Sequence, residues 1–298
     1  MYEQITRNRI RSALLIFMVV VLAGGLGWLF GYIFGGGLVG LFIALGIAAV
    51  MSILSYRYGD RLVLRVSRAQ PATREQYPKL HNLVEGLAIA AGMPKPAIYV
   101  IPEQAPNAFA TGRDPEHASI AVTTGLMEIT NRVELEGVLA HELAHVKNRD
   151  MLVNTLAATL VGVVALLAGW MRWALFWGGG GRRRGGGGGA FPIILVLGLV
   201  AAILAPLAAQ LIRLAVSRRR EFLADADGAL MTRYPPGLAS ALRKISQSPN
   251  TMAVANNATA HLWLNQPSRA VGEGHTAFER LWSTHPPIQE RIRILEEM

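Results

Sequence analysis

Three residues in one short segment have the types and spacing of a hydrolytic metal centre: His141, Glu142 and His145, in the order HELAH. The neighbours Val138, Leu139, Leu143, Ala144 and Val146 favour a helix, and helical residues four apart share a face. Both imidazoles can then reach one cation while Glu142 lies beside the coordination position left open. Zinc held in this way polarises a water and a carbonyl, and the adjacent carboxylate takes the water's proton. Three fixed positions in five also arise by accident, with the histidines as ordinary helix residues. Two protein ligands hold zinc weakly, so a third decides between the readings. The chain has no cysteine, which leaves histidine and carboxylate as the available ligand types.

The best candidate for the third ligand lies in SRRREFLADADGAL, residues 217–230, where Glu221 and Asp225 again share one helical face. Two apolar runs, Met151–Met171 and Ala190–Ile212, separate this segment from HELAH. If they form an antiparallel hairpin, the chain leaves a membrane surface just after His145 and returns to it just before Glu221. Glu221 then ligates the metal, and Asp225 accepts a hydrogen bond from the far nitrogen of a liganding histidine, which orients the ring. The rival is a solvated cluster in which both carboxylates pair with Arg218–Arg220. HELAH and the hairpin together favour the metal.

The elements that must position these groups are those of a membrane protein. Of 298 residues, 52% are hydrophobic and only 16% charged, and the mean hydropathy is +0.32, a surplus of apolar surface that a bilayer absorbs. The formal charge of +9 would suit nucleic acid, but the basic residues flank apolar runs and read as topology signals, so no nucleic-acid partner is expected. Residues 1–57 form an N-terminal transmembrane hairpin, with no charge between Arg11 and Arg57 and a turn at Gly35–Gly37. The apolar run is too long for a cleaved signal peptide.

Residues 58–150 have the composition of a soluble domain: a helix over 73–91, strands near 97–101, 108–111 and 118–123, then the HELAH helix. Residues 151–216 are a second hairpin with a Gly/Arg-rich loop at 178–189, and residues 217–298 complete the catalytic part. The fold class expected is an α-rich membrane protein: four hydrophobic helices in two hairpins plus a mostly helical, zincin-type catalytic domain with a small β-sheet. The arginines near residues 57–68 and 213–220 place that domain in the cytoplasm, against Arg182–Arg184 on the far side. Either those clusters outvote the loop, which we favour, or the second hairpin is re-entrant. No phosphate-binding pattern occurs in the glycine tract, so no ATP is expected.

HELAHVKNRD followed by SRRREFLADADGA resembles the HtpX heat-shock family of membrane metalloproteases, relatives of the CAAX prenyl proteases. The resemblance covers nearly the whole chain. It implies one Zn2+ per chain held by His141, His145 and Glu221, with Glu142 as the catalytic base. It further implies a multi-pass protein of the bacterial inner membrane, a stress-response endopeptidase that degrades misfolded or damaged membrane proteins. Two weaker matches accompany it. NAFATG resembles the family's edge strand, so that Asn107, Ala108 and Phe109 would pair with an extended substrate; an ordinary strand is the alternative. STHPP places His285 where the family has a histidine near the site, able to hydrogen-bond the developing oxyanion. On its own, His285 reads as a helix-entry residue before a proline.

Overall fold

The computed structural model describes residues 38–155, 218–250, 262–264 and 286–298, with isolated positions nearer the N-terminus. Helix α1, Leu38–Val66, is a single run of 29 residues that passes through Arg57 without a break. Strand β1 is Gln70–Pro71, followed by α2, Pro78–Ala91. Strands β2, Ala97–Ile101, and β3, Ala108–Gly112, come next, then a short 3-10 turn and β4, Ala118–Thr123. Helices α3, Thr124–Ile129, and α4, Arg132–Lys147, close the first half. The second half contributes α5, Arg218–Thr232, α6, Pro235–Gln247, and α7, Ile288–Glu296.

The β-branched and alanine-rich strands assemble in the order β1-β2-β4-β3. β2 runs parallel to β4, and β3 lies antiparallel to β4 at the edge. Side chains alternate across this sheet with the period of two that strands impose. Ile98, Val100, Ala110, Ile120 and Val122 pack with Leu135, Val138 and Leu139 of α4. Ile101, Phe109 and Ala121 face the other way, onto Val63 and Leu64 at the end of α1. The sheet is therefore a layer between the HELAH helix and the last turns of α1.

Helix α4 is the axis of the domain, and its sequence starts it firmly. Asn131 accepts from the Glu134 backbone while Glu134 reaches back to the Asn131 N–H, a reciprocal capping box. Glu134 also receives the Lys244 ammonium and the Ser240 hydroxyl from α6, at 2.7 and 2.6 Å. The cap thus doubles as a tie between two helices.

Close approach of α5 depends on a missing side chain. A Cβ at Gly228 would stand 3.0 Å from the His141 nitrogen and 3.2 Å from its Cα, so the glycine lets α5 settle against the backbone of the motif itself. Gly228→Ala is expected to cost about 1–3 kcal/mol, since rigid helix backbone must yield, read as a lower thermal-unfolding midpoint. An unchanged midpoint would show that the two helices separate freely.

The three expected strands are found where the alternation puts them, β3 one residue longer. The helix expected from residue 73 begins instead at Pro78, in the first turn that proline favours. Among the described residues no helix is long and apolar enough to cross a membrane. All of the second hairpin beyond residue 155, with its loop at 178–189, and most of residues 1–37 lie outside the described residues.

Candidate metal centre

His141, Glu142 and His145 occupy successive turns of α4, and all three are buried. Glu221 enters from the first turn of α5, also buried. One ligand atom from each of His141, His145 and Glu221 lies within 4.8 Å of the others. The two Nε2 atoms are 3.2 Å apart, and Glu221 oxygens stand 3.8 Å from His141 Nε2 and 3.6 Å from His145 Nε2. Three ligands about 2.0–2.1 Å from a tetrahedral zinc are separated by roughly 3.3 Å. The donor set is therefore close to what such an ion requires.

The far side of each imidazole is held by a carboxylate. Asp225, one turn beyond Glu221 on α5, accepts from His141 Nδ1 at 2.9 Å. Asp150 accepts from His145 Nδ1 at 3.2 Å. With both Nδ1 positions so committed, neutral rings would turn each Nε2 lone pair toward the other and toward Glu221, an arrangement that a cation between them would relieve.

Two buried guanidiniums complete the setting. Arg291 of α7 grips Asp225 through Nη2 and Nε, at 2.7 and 2.9 Å, and its Nη1 approaches Glu221 Oε2 at 3.5 Å. Arg220 reaches Asp150 at 3.3 Å. Among the described residues, the buried carboxylates of the site are Glu142, Asp150, Glu221 and Asp225, and the buried guanidiniums are Arg220 and Arg291. With all four carboxylates ionised and both imidazoles neutral, as metal ligation requires, they leave a formal excess of two negative charges, which a divalent cation would offset.

Protonation equilibria follow from these neighbours. Burial raises the Glu142 carboxyl above its ordinary value, against the opposing pull of His141 and His145. For His145, burial favours the neutral ring, but the Asp150 hydrogen bond and the Glu221 charge prevail and raise it to about 9. Burial would likewise raise Asp225, yet the Arg291 charge and the His141 hydrogen bond hold it down at about 2.

The structure thus brings together His141, Glu142, His145, Glu221 and Asp225. Asn107, Ala108 and Phe109 lie at or next to the edge strand, where Asn107 turns its Oδ1 back to the Ala108 N–H at 3.1 Å. From that strand it is Ala110 that lines the small cavity beside His141 and Glu142. His285 lies outside the described residues. Asp150 and Arg291 carried no expectation, and each had a signal. Asp150 is a carboxylate directly past the end of the motif helix. Arg291 takes a position in the apolar stripe of Ile288, Ile292 and Leu295, where a cation must be buried and paired.

Comparison with known proteins gives the family. Residues 74–298 match the model of Peptidase family M48. The chain is 46% identical over its whole length to a protease HtpX homolog of Tropheryma whipplei (strain Twist), covering 98% of that protein. It is 43% identical to a protease HtpX homolog of Thermoanaerobacter pseudethanolicus, over 100% of this chain and 98% of the relative. A Pyrococcus furiosus homolog is 44% identical over 97% of this chain and 95% of its own. Among solved structures, the crystal structure of S. mikatae Ste24p shares the fold, with TM-score 0.51 and 20% identity over 99% of this chain and 67% of that one. The chain belongs to peptidase family M48, among its HtpX proteases, and is a metalloprotease that hydrolyses peptide bonds.

Proposed function

We propose that the protein is a membrane-bound, zinc-dependent endopeptidase that degrades misfolded or damaged membrane proteins from the cytoplasmic side of a bacterial inner membrane, as part of a stress response. The convergence of His141, His145 and Glu221 within 4.8 Å carries the metal part of this reading. His141, His145 and Glu221 would hold one Zn2+, which polarises a water and the substrate carbonyl when bound. Glu142 takes the proton of the attacking water and passes it to the departing amine, so that one peptide bond is exchanged for a carboxylate and an amine. Asp225 and Asp150 hold the two imidazoles through their Nδ1 protons, while Arg291 keeps Asp225 ionised. His285 would hydrogen-bond the oxyanion, and Asn107, Ala108 and Phe109 would form the edge on which an extended substrate pairs.

The membrane part rests on the charge-free run between Arg11 and Arg57 and on the apolar runs within 151–216. Along α1, Leu38, Phe42, Ile43 and Ile53 are all exposed by more than half, an apolar surface that lipid would cover. Division into 1–57, 58–150, 151–216 and 217–298 then follows as two hairpins and a catalytic domain in two parts. Neither ATP nor nucleic acid enters this reading.

Chelation provides the first experiment. Treatment of the purified protein with EDTA is expected to abolish cleavage of unfolded casein, and added zinc to restore it. Cleavage that persists after the metal has been removed contradicts the proposal. Running a farnesylated C-terminal peptide beside the casein separates quality control from the chemistry of the CAAX relatives.

A further inference from the structure

The open edge of β3 is not free. Asn107 C=O accepts from the Thr123 N–H at 3.0 Å, which puts the bonded rows of this antiparallel pair at 107, 109 and 111. The alternate residues 108, 110 and 112 turn their main-chain groups outward. At one end of that edge, Ala108 N–H is taken by the Asn107 side chain, and its C=O accepts from the Leu264 N–H at 3.0 Å. At the other end, Gly112 N–H donates to Thr155 Oγ1 at 3.4 Å. Ala110, which lines the cavity beside Glu142 and Glu221, lies between the two closures.

Leu264 is followed back along the chain by Trp263 and Leu262, and all three are buried and line that same cavity. Trp263 stands edge-on to Phe109, with ring centroids 4.8 Å apart, and packs with Leu262 on the α1 side of the sheet. Leu264 packs on the α4 side. The three residues therefore wrap the edge of β3. Their contact is also imperfect: Trp263 Nε1 is buried with no hydrogen-bond partner among the described residues, which costs free energy that opening would return.

We infer that Leu262–Leu264 is a built-in occupant of the substrate edge, holding the main-chain acceptor of Ala108 and the apolar space around Phe109 that an incoming peptide needs. The inference rests on the peptidase reading given above. The segment competes with substrate for one position, so it raises the apparent KM and leaves kcat alone, because the competent fraction and not the chemistry is reduced.

Leu264→Pro deletes the donor to Ala108, and Trp263→Ala deletes the anchor on Phe109. With full-length protein and fluorescently labelled casein, each is expected to lower KM at unchanged kcat, Leu264→Pro by about fivefold for the loss of the single main-chain hydrogen bond. A second arm leaves the segment unaltered: in Glu142→Gln, excess casein should speed hydrogen exchange at the Leu264 amide. A raised KM or a lowered kcat in both variants, or a Leu264 amide that stays protected when casein binds, makes the segment a fixed wall and overturns the inference. If zinc-loaded wild type and both variants all fail to cleave casein, the peptidase reading itself falls and takes this one with it.

Discussion

Glu142→Gln is expected to reduce peptide-bond cleavage by about three orders of magnitude while leaving the metal content unchanged. The substitution keeps the size and hydrogen-bonding span of the side chain but removes its capacity to accept a proton. Positioned general bases contribute about 10²–10⁴ in rate. Glu142 lies between His141 and His145 in sequence and is buried beside them, yet it is not in the group of three side chains whose ligand atoms converge. Loss of activity with retained metal therefore separates the role of base from that of ligand. Steady-state cleavage of casein and elemental analysis of the same preparation check both halves. Substantial residual cleavage rejects Glu142 as the base, and loss of metal would move it into the ligand set.

The second large effect is expected at Arg291, and it is one of stability. The residue is 1% exposed, and its guanidinium grips Asp225 with two hydrogen bonds. Arg291→Met fits the apolar stripe of α7 but leaves Asp225 ionised and buried with, among the described residues, His141 as its remaining partner. Breaking one side of a buried pair costs about 3–5 kcal/mol, which should appear as a large drop in the unfolding midpoint. Adding Asp225→Asn removes the stranded charge, so the double variant should recover part of the loss, a coupling that a double-mutant cycle measures. Additive losses would show that Arg291 acts by packing its stem and not through Asp225.

Much of this was legible in the sequence, and the reasons are local. HELAH announces its chemistry because helical spacing alone brings the imidazoles to one face. The strands at 97–101, 108–112 and 118–123 were legible because Val, Ile and Thr runs are punctuated by proline, glycine and aspartate. Glu221 needed an argument about chain path, and the distances in the folded domain bring it to the histidines by the packing of α5 on α4 through Gly228. Less legible were the groups whose work depends on tertiary contact. Arg291 stands 66 residues from Asp225 and Arg220 stands 70 from Asp150, separations over which no periodicity speaks. The start of α2 at Pro78 was missed because Tyr77 continues the apolar spacing, whereas the backbone follows the proline.

Metal stoichiometry of the wild-type protein beside Glu221→Ala bears most directly on the centre. Three ligands, two of them held from behind by Asp225 and Asp150, should retain close to one zinc per chain through purification. Removing Glu221 leaves only two imidazoles, and the variant should come off the column nearly metal-free. Equal zinc in the two proteins would contradict the assignment of the third ligand, and with it the way α4 and α5 are held to build the site.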